Sequence, residues 1–208
     1  MVETSTETIG ALLDPSRLWT REEVLARDRP VPNSPGVYAW YFRELPADDL
    51  DPSGCHIAHG LPLLYTGIAP RRPSSGGGRP SAQTLRRRLQ THLRGNASAS
   101  TLRLTLGCLL SERLGLELRR VGDSERTTFG SGEDVLSDWM ARNALVCWAA
   151  VPEPWEVEST LISRLAPPLN LDQNEGNAFH DELSARRREC RRRARELPVL
   201  PSPPRNAG

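Results

Sequence analysis

The amino-acid sequence predicts an α/β domain of mixed strands and helices. Three apolar runs dense in β-forming residues, 36–42, 63–68 and 144–151, are bounded by Pro, Gly and acidic residues, as buried strands are. Leu85, Leu89 and Leu93 repeat at helical spacing between the second and third of these runs. A length of 208 residues suits one core with extensions, and no apolar run approaches the about 20 residues needed to cross a bilayer.

Residues 1–19 show weak periodicity. Thr20 to Glu23 then has the form of a capping box, opening a short helix to about Arg27 that Pro30, Pro32 and Pro35 stop. Residues 36–42 form the first strand, acids and prolines from Glu44 to Pro52 a loop, and residues 63–68 a second strand, giving a hairpin with a long connection. Ala69 to Ser81, with three consecutive glycines, reads as a mobile loop. Thr84 caps the helix that Gly95 ends; it carries Arg86, Arg87, Arg88, His92 and Arg94. Residues 101–118 contain a helical stretch, and 116–121 with 126–129 form a hairpin around Gly122 and Asp123. A helix over 135–143 leads into the third strand. Trp155 to Leu165 is helical until Pro167 and Pro168. An Arg-dense helix, 184–196, precedes a Pro-rich end, 198–208, expected to fray.

Composition narrows the chemistry. Four scattered cysteines without a CxxC pair speak against a zinc cluster or a disulfide framework, and the absence of a basic, apolar leader in the first twenty residues predicts a cytoplasmic protein. All 27 basic residues are arginine, so Schiff-base chemistry and a lysine-bearing P-loop are excluded. The net charge of +1 conceals blocks of −5 over 1–60, +9 over 61–120, −9 over 121–185 and +6 over 186–208. Arginine-rich blocks suit phosphate recognition, because guanidinium forks match phosphate oxygens in pairs.

Four groups of residues stand out. Glu158 lies between Leu161 and Ile162 on the helical wheel, on the stripe expected to face the core, where a carboxylate needs a cation, a metal or a shifted pKa. Read alone, it is also a first-turn acid answering a helix N-terminus. Arg88 and His92 are four apart beside the leucine stripe and reach one rim, although each alone reads as a solvated arginine or a satisfied histidine. Tyr38 and Tyr65 each sit in a strand within two residues of a glycine, and Asn170 follows a Pro-Pro-Leu turn.

In order, Gly36-Val-Tyr38, Tyr65-Thr-Gly67, Arg88 with His92, and Glu158 with Asn170 resemble the GIY-YIG nuclease superfamily over residues 34–172. The resemblance implies a three-stranded antiparallel sheet flanked by helices, with an insertion over about 98–137, an N-terminal extension over 1–33 and an Arg-rich tail over 173–208. It implies a metal-dependent endonuclease acting on DNA phosphodiesters, the alternative being an inactive nucleic-acid or protein-binding module on the same fold. Tyr38 would activate water beside Tyr65, Arg88 would hold the scissile phosphate, and His92 would hydrogen-bond the tyrosine or phosphate. Glu158 would bind one Mg²⁺ (or Mn²⁺), and Asn170 would brace the site. An unperturbed tyrosine titrates near about 10, so Arg88 and the ion would have to lower Tyr38. Arg71, Arg72, Arg79, Arg86, Arg87 and Arg94, with the tail, are the expected DNA contacts, the tail's other reading being partner docking. Val37 and Thr66 replace the isoleucines of the family's motif and are expected on the face opposite the tyrosines. Arg followed by His is similar to homing-type and restriction-type members, and cutting both strands would require a dimer or two successive nicks.

Overall fold

The computed structural model describes residues 2–72, 81–122 and 125–201. In chain order its elements are α1 (Val2–Leu13), α2 (Arg21–Val24), β1 (Gly36–Phe42), β2 (Ile57–Ala58), β3 (Leu61–Ala69), α3 (Leu85–Arg94), α4 (Thr101–Leu109) and α5 (Ser111–Leu114). They continue with β4 (Arg119–Arg120), β5 (Thr127–Thr128), α6 (Gly132–Asn143), β6 (Ala144–Ala150), α7 (Trp155–Leu165) and α8 (His180–Glu196). No helix among the described residues is long and apolar enough to cross a membrane.

An antiparallel sheet of order β2-β3-β1-β6 organises the molecule. β1 is central and buried along its whole length. Strand alternation sends Tyr38, Trp40 and Phe42 into one apolar cluster, with α3, α4 and α6, and Val37, Ala39 and Tyr41 into a second, with α1 and α7. Val37 therefore does face away from Tyr38.

Four features depart from the sequence reading. The sheet has a fourth strand, β2, because His59 and Gly60 both take positive φ and close a two-residue hairpin. The N-terminus is helical: Ile9 and Leu12 bury on the second sheet face, and the Tyr41 hydroxyl donates to the Leu12 carbonyl at 2.7 Å. The Arg-dense helix starts at His180, earlier than expected, and buries Leu183, Arg187 and Ala194. The segment after it is held as far as Leu200, whose N–H donates to Arg120 O and whose carbonyl accepts from Gly122 N, each at 2.9 Å. Of the mobile loop expected over 69–81, Ala69 belongs to β3 and residues 73–80 lie outside the described residues, as do residues 202–208 of the Pro-rich end.

Candidate active site

The register of the sheet builds the first half of the site. Tyr38 lies opposite Gly67 and Trp40 opposite Tyr65, so both tyrosines project from one face. Gly67 makes room for the Tyr38 ring: a Cβ there would stand 2.5 Å from the hydroxyl oxygen. At Gly36 a Cβ would collide with the Ala149 carbonyl and Leu85. Both motif glycines are thus packing requirements that let a strand, a phenol and a helix meet closely.

Helix α3 supplies the second half. The Thr84 side chain accepts from Arg87 N, and the helix buries Leu85, Arg88, Leu89, His92 and Leu93 on one side. The Tyr38 hydroxyl lies 2.8 Å from His92 Nε2 and accepts from Arg88 Nε at 3.3 Å. Arg88 Nη1 donates to the Ala99 carbonyl at 3.2 Å, which fixes the guanidinium against the wall of the cleft. Behind it, His92 Nδ1 is 2.6 Å from the hydroxyl of Ser100, the N-cap of α4, which also accepts from Arg103 N.

Electrostatics decide the protonation states. Burial, with the Arg88 and Arg103 charges, holds His92 well below its ordinary value, so it is neutral near pH 7. Burial pulls Arg88 down, but the phenols of Tyr38 and Tyr65 outweigh it and leave the guanidinium above its usual value. Arg88 by itself does not bring Tyr38 below its ordinary value, which the sequence asks of Arg88 and the ion together. Arg88 does pull it down, yet Tyr38 is 1% exposed and desolvation wins, so the phenol sits above its ordinary value. Tyr65 is raised for the same reason.

The far wall comes from the open edge of β3. Strand β2 pairs only with Leu61 and Pro62, leaving the rest of that edge without a strand. The chain after α7 covers it. Leu169 N donates to Leu64 O, and the Asn170 side chain mimics a peptide group, accepting from Thr66 N and donating to Thr66 O, each at 2.9 Å. Helix α7 packs against β3 with Val157, Leu161 and Ile162 buried, which leaves Glu158 half-buried and facing the tyrosines.

A cleft of about 350 Å³ results, lined by Tyr38, Tyr65, Arg88, Glu158 and Asn170 together with Arg71 and Arg72. His92 stands behind Tyr38, outside that lining. Arg86, Arg87 and Arg94 do not line the cleft; Arg86 instead ties α3 to the Val31 carbonyl at 2.8 Å. Arg79 lies outside the described residues. Two charged lining residues were not singled out by the sequence reading, Asp172 and Arg187. The signal for Arg187 was present: Leu183, Arg187, Cys190 and Ala194 recur at spacings of four, three and four along the packed side of α8. Asp172 carried none, being one polar residue in a turn.

No hydrogen bond or ion pair reaches the Glu158 carboxylate among the described residues. Burial and the neighbouring Asp172 push it up to about 7, against the pull of Arg88 and Arg71. A desolvated, unneutralised carboxylate beside a second acid fits a hard divalent cation, which relieves both penalties.

Comparison with curated proteins and with solved structures gives no match. The GIY-YIG catalytic domain, in contrast, matches residues 36–191, well over half of the chain and extending into α8. With its paired tyrosines, α3 arginine and α7 glutamate on one cleft, this chain belongs to the GIY-YIG nuclease superfamily.

Proposed function

We propose that the protein is a divalent-metal-dependent endonuclease that hydrolyses DNA phosphodiester bonds. One observation carries the reading: a buried arginine, two phenols and an unneutralised carboxylate line the same open cleft. Glu158, with Asp172 alongside, would hold the ion, Mg²⁺ or Mn²⁺, which would supply positive charge to the phosphate oxygens and the developing alkoxide. Arg88 meets the scissile phosphate with a guanidinium already oriented by Ala99. With His92 neutral and its Nδ1–H given to the Ser100 hydroxyl, Nε2 would accept the hydrogen bond of the Tyr38 hydroxyl.

A phosphate anion on Arg88 offsets the positive charge that, with burial, keeps His92 neutral. In one concerted shift the phenolic proton moves from Tyr38 Oη to His92 Nε2 while Oη takes a proton from water, which attacks phosphorus as the bond to the leaving oxygen breaks. The leaving alkoxide takes a proton from solvent, and His92 passes its proton back through Tyr38 to solvent. Proton transfer is thereby tied to substrate binding. Asn170 keeps β3, and hence Tyr65 and Gly67, in place.

The test incubates purified protein with supercoiled and branched DNA plus Mg²⁺, with EDTA and Glu158→Gln as controls. Cleavage that EDTA and the substitution both abolish supports the proposal. No cleavage by the wild type on either DNA overturns it and leaves a non-catalytic binding module, and undiminished cleavage by Glu158→Gln overturns the metal-dependent mechanism built on that carboxylate.

A further inference from the structure

The seven arginines of α8 fall into two sets. Arg186 pairs with Glu182 and Asp49, Arg192 with Glu189 and Glu196, Arg193 with Glu189, and Arg188 donates to the Ser184 hydroxyl. Arg187, Arg191 and Arg195 have no ion pair to any carboxylate among the described residues. They are spaced by four, so they form one stripe along the helix. This stripe lines a groove of about 320 Å³ whose other walls include Arg120, Ser98 and Thr127 and which has one acid, Glu125, among its lining residues.

Arg187 is the hinge of the arrangement. It is 9% exposed, its buried Nε has no hydrogen-bond partner, and it lines both this groove and the active-site cleft, as does Thr101. The two hollows are therefore contiguous, sharing a wall at Arg187 and Thr101. A buried guanidinium without a partner carries a solvation penalty that an anion in the cleft would offset. A stripe of guanidiniums running away from it along a groove suits a polyanionic chain better than one isolated anion.

We propose that Arg187, Arg191 and Arg195 bind successive phosphates of the DNA strand where it leaves the cleft, so that α8 is part of the substrate track. Arg187 takes the phosphate beside the scissile one, and Arg191 and Arg195 take those beyond it. The outward set on the same helix, Arg192 and Arg193, is neutralised by its own glutamates and takes no part. The inference rests on the nuclease reading but is tested by binding alone.

Binding of a fluorescent DNA duplex is measured in EDTA over a range of salt concentrations for the wild type, Arg191→Gln/Arg195→Gln, and Arg192→Gln/Arg193→Gln. The two double variants remove the same charge from opposite sides of α8. Losing two phosphate contacts should flatten the slope of log K against log salt by about 2 in the first, while the second keeps the wild-type slope. Arg187→Lys, which preserves the charge but not the fork, should bind more weakly with the slope retained. An unchanged slope in Arg191→Gln/Arg195→Gln, or an equal change in both double variants, overturns the inference and leaves the nuclease reading standing. Absence of DNA binding by the wild type in EDTA overturns this inference alone, because the nuclease reading is decided separately by the Mg²⁺-dependent cleavage assay.

Discussion

Two buried arginines on consecutive helices of this domain have opposite fates. Arg103 on α4 is fully enclosed and saturated: Nε and Nη2 meet Glu133, and Nη1 meets Ser137 and the His92 carbonyl. Glu133 is equally engaged, accepting also from Ala97 N, Phe129 N and the Thr128 hydroxyl. Arg88 on α3 spends one nitrogen on a phenol and one on a carbonyl, and the acid across the cleft, Glu158, receives no hydrogen bond among the described residues. Burial of charge is common to both places. What separates them is completion, for one network is closed within the protein and the other has vacant valences directed at a cleft.

The sharpest way to break that contrast is to remove each acid. Glu158→Gln should cost about 10³-fold or more in DNA cleavage with the fold intact, read from plasmid nicking together with thermal melts. Glu133→Ala should do the reverse, lowering unfolding free energy by about 3 kcal/mol or more in denaturant titrations because it strands Arg103, while cleavage per folded molecule persists.

A smaller effect concerns pH. The folded-state pKa of Glu158 is about 7, above the ordinary 4.5, so the unfolded chain releases this proton first as pH rises. Stability from this group is present below 4.5 and is lost as pH climbs through about 7. In EDTA, wild type should lose on the order of 2 kcal/mol relative to Glu158→Gln between pH 4.5 and 8, after allowing for partial solvent screening. Parallel stability curves for the two proteins would contradict the burial described here.

The smallest effect compares two tyrosines on opposite sheet faces. Tyr41 donates to a backbone carbonyl of α1, so Tyr41→Phe should cost about 1 kcal/mol of stability and leave cleavage unaltered. A loss of cleavage in Tyr41→Phe without a loss of stability would show that the two faces are not separate in function.

Local patterns made much of this legible. The capping box at Thr20 and Glu23, the Thr84 cap and Gly95 stop of α3, and the apolar runs of β1 and β6 are short-range signals, and each element forms where they indicate. Helix α1 escaped because few apolar residues, Ile9 and Leu12 chief among those described, mark its packed side in a stretch of Thr and Glu, and its stability comes from lying on the sheet. Strand β2 escaped because two residues are too few for periodicity to register.

The motif residues and their order along the chain were written in the sequence, as were the glycines that strand and helix packing demand. Completion was not. Which arginine is closed by Glu133, which acid is left unpaired, and which three of seven guanidiniums on α8 line the groove next to the cleft all depend on partners brought from 30 or more residues away or from another element. Desolvation and pairing are properties of the assembled interior, so only the tertiary structure could decide them.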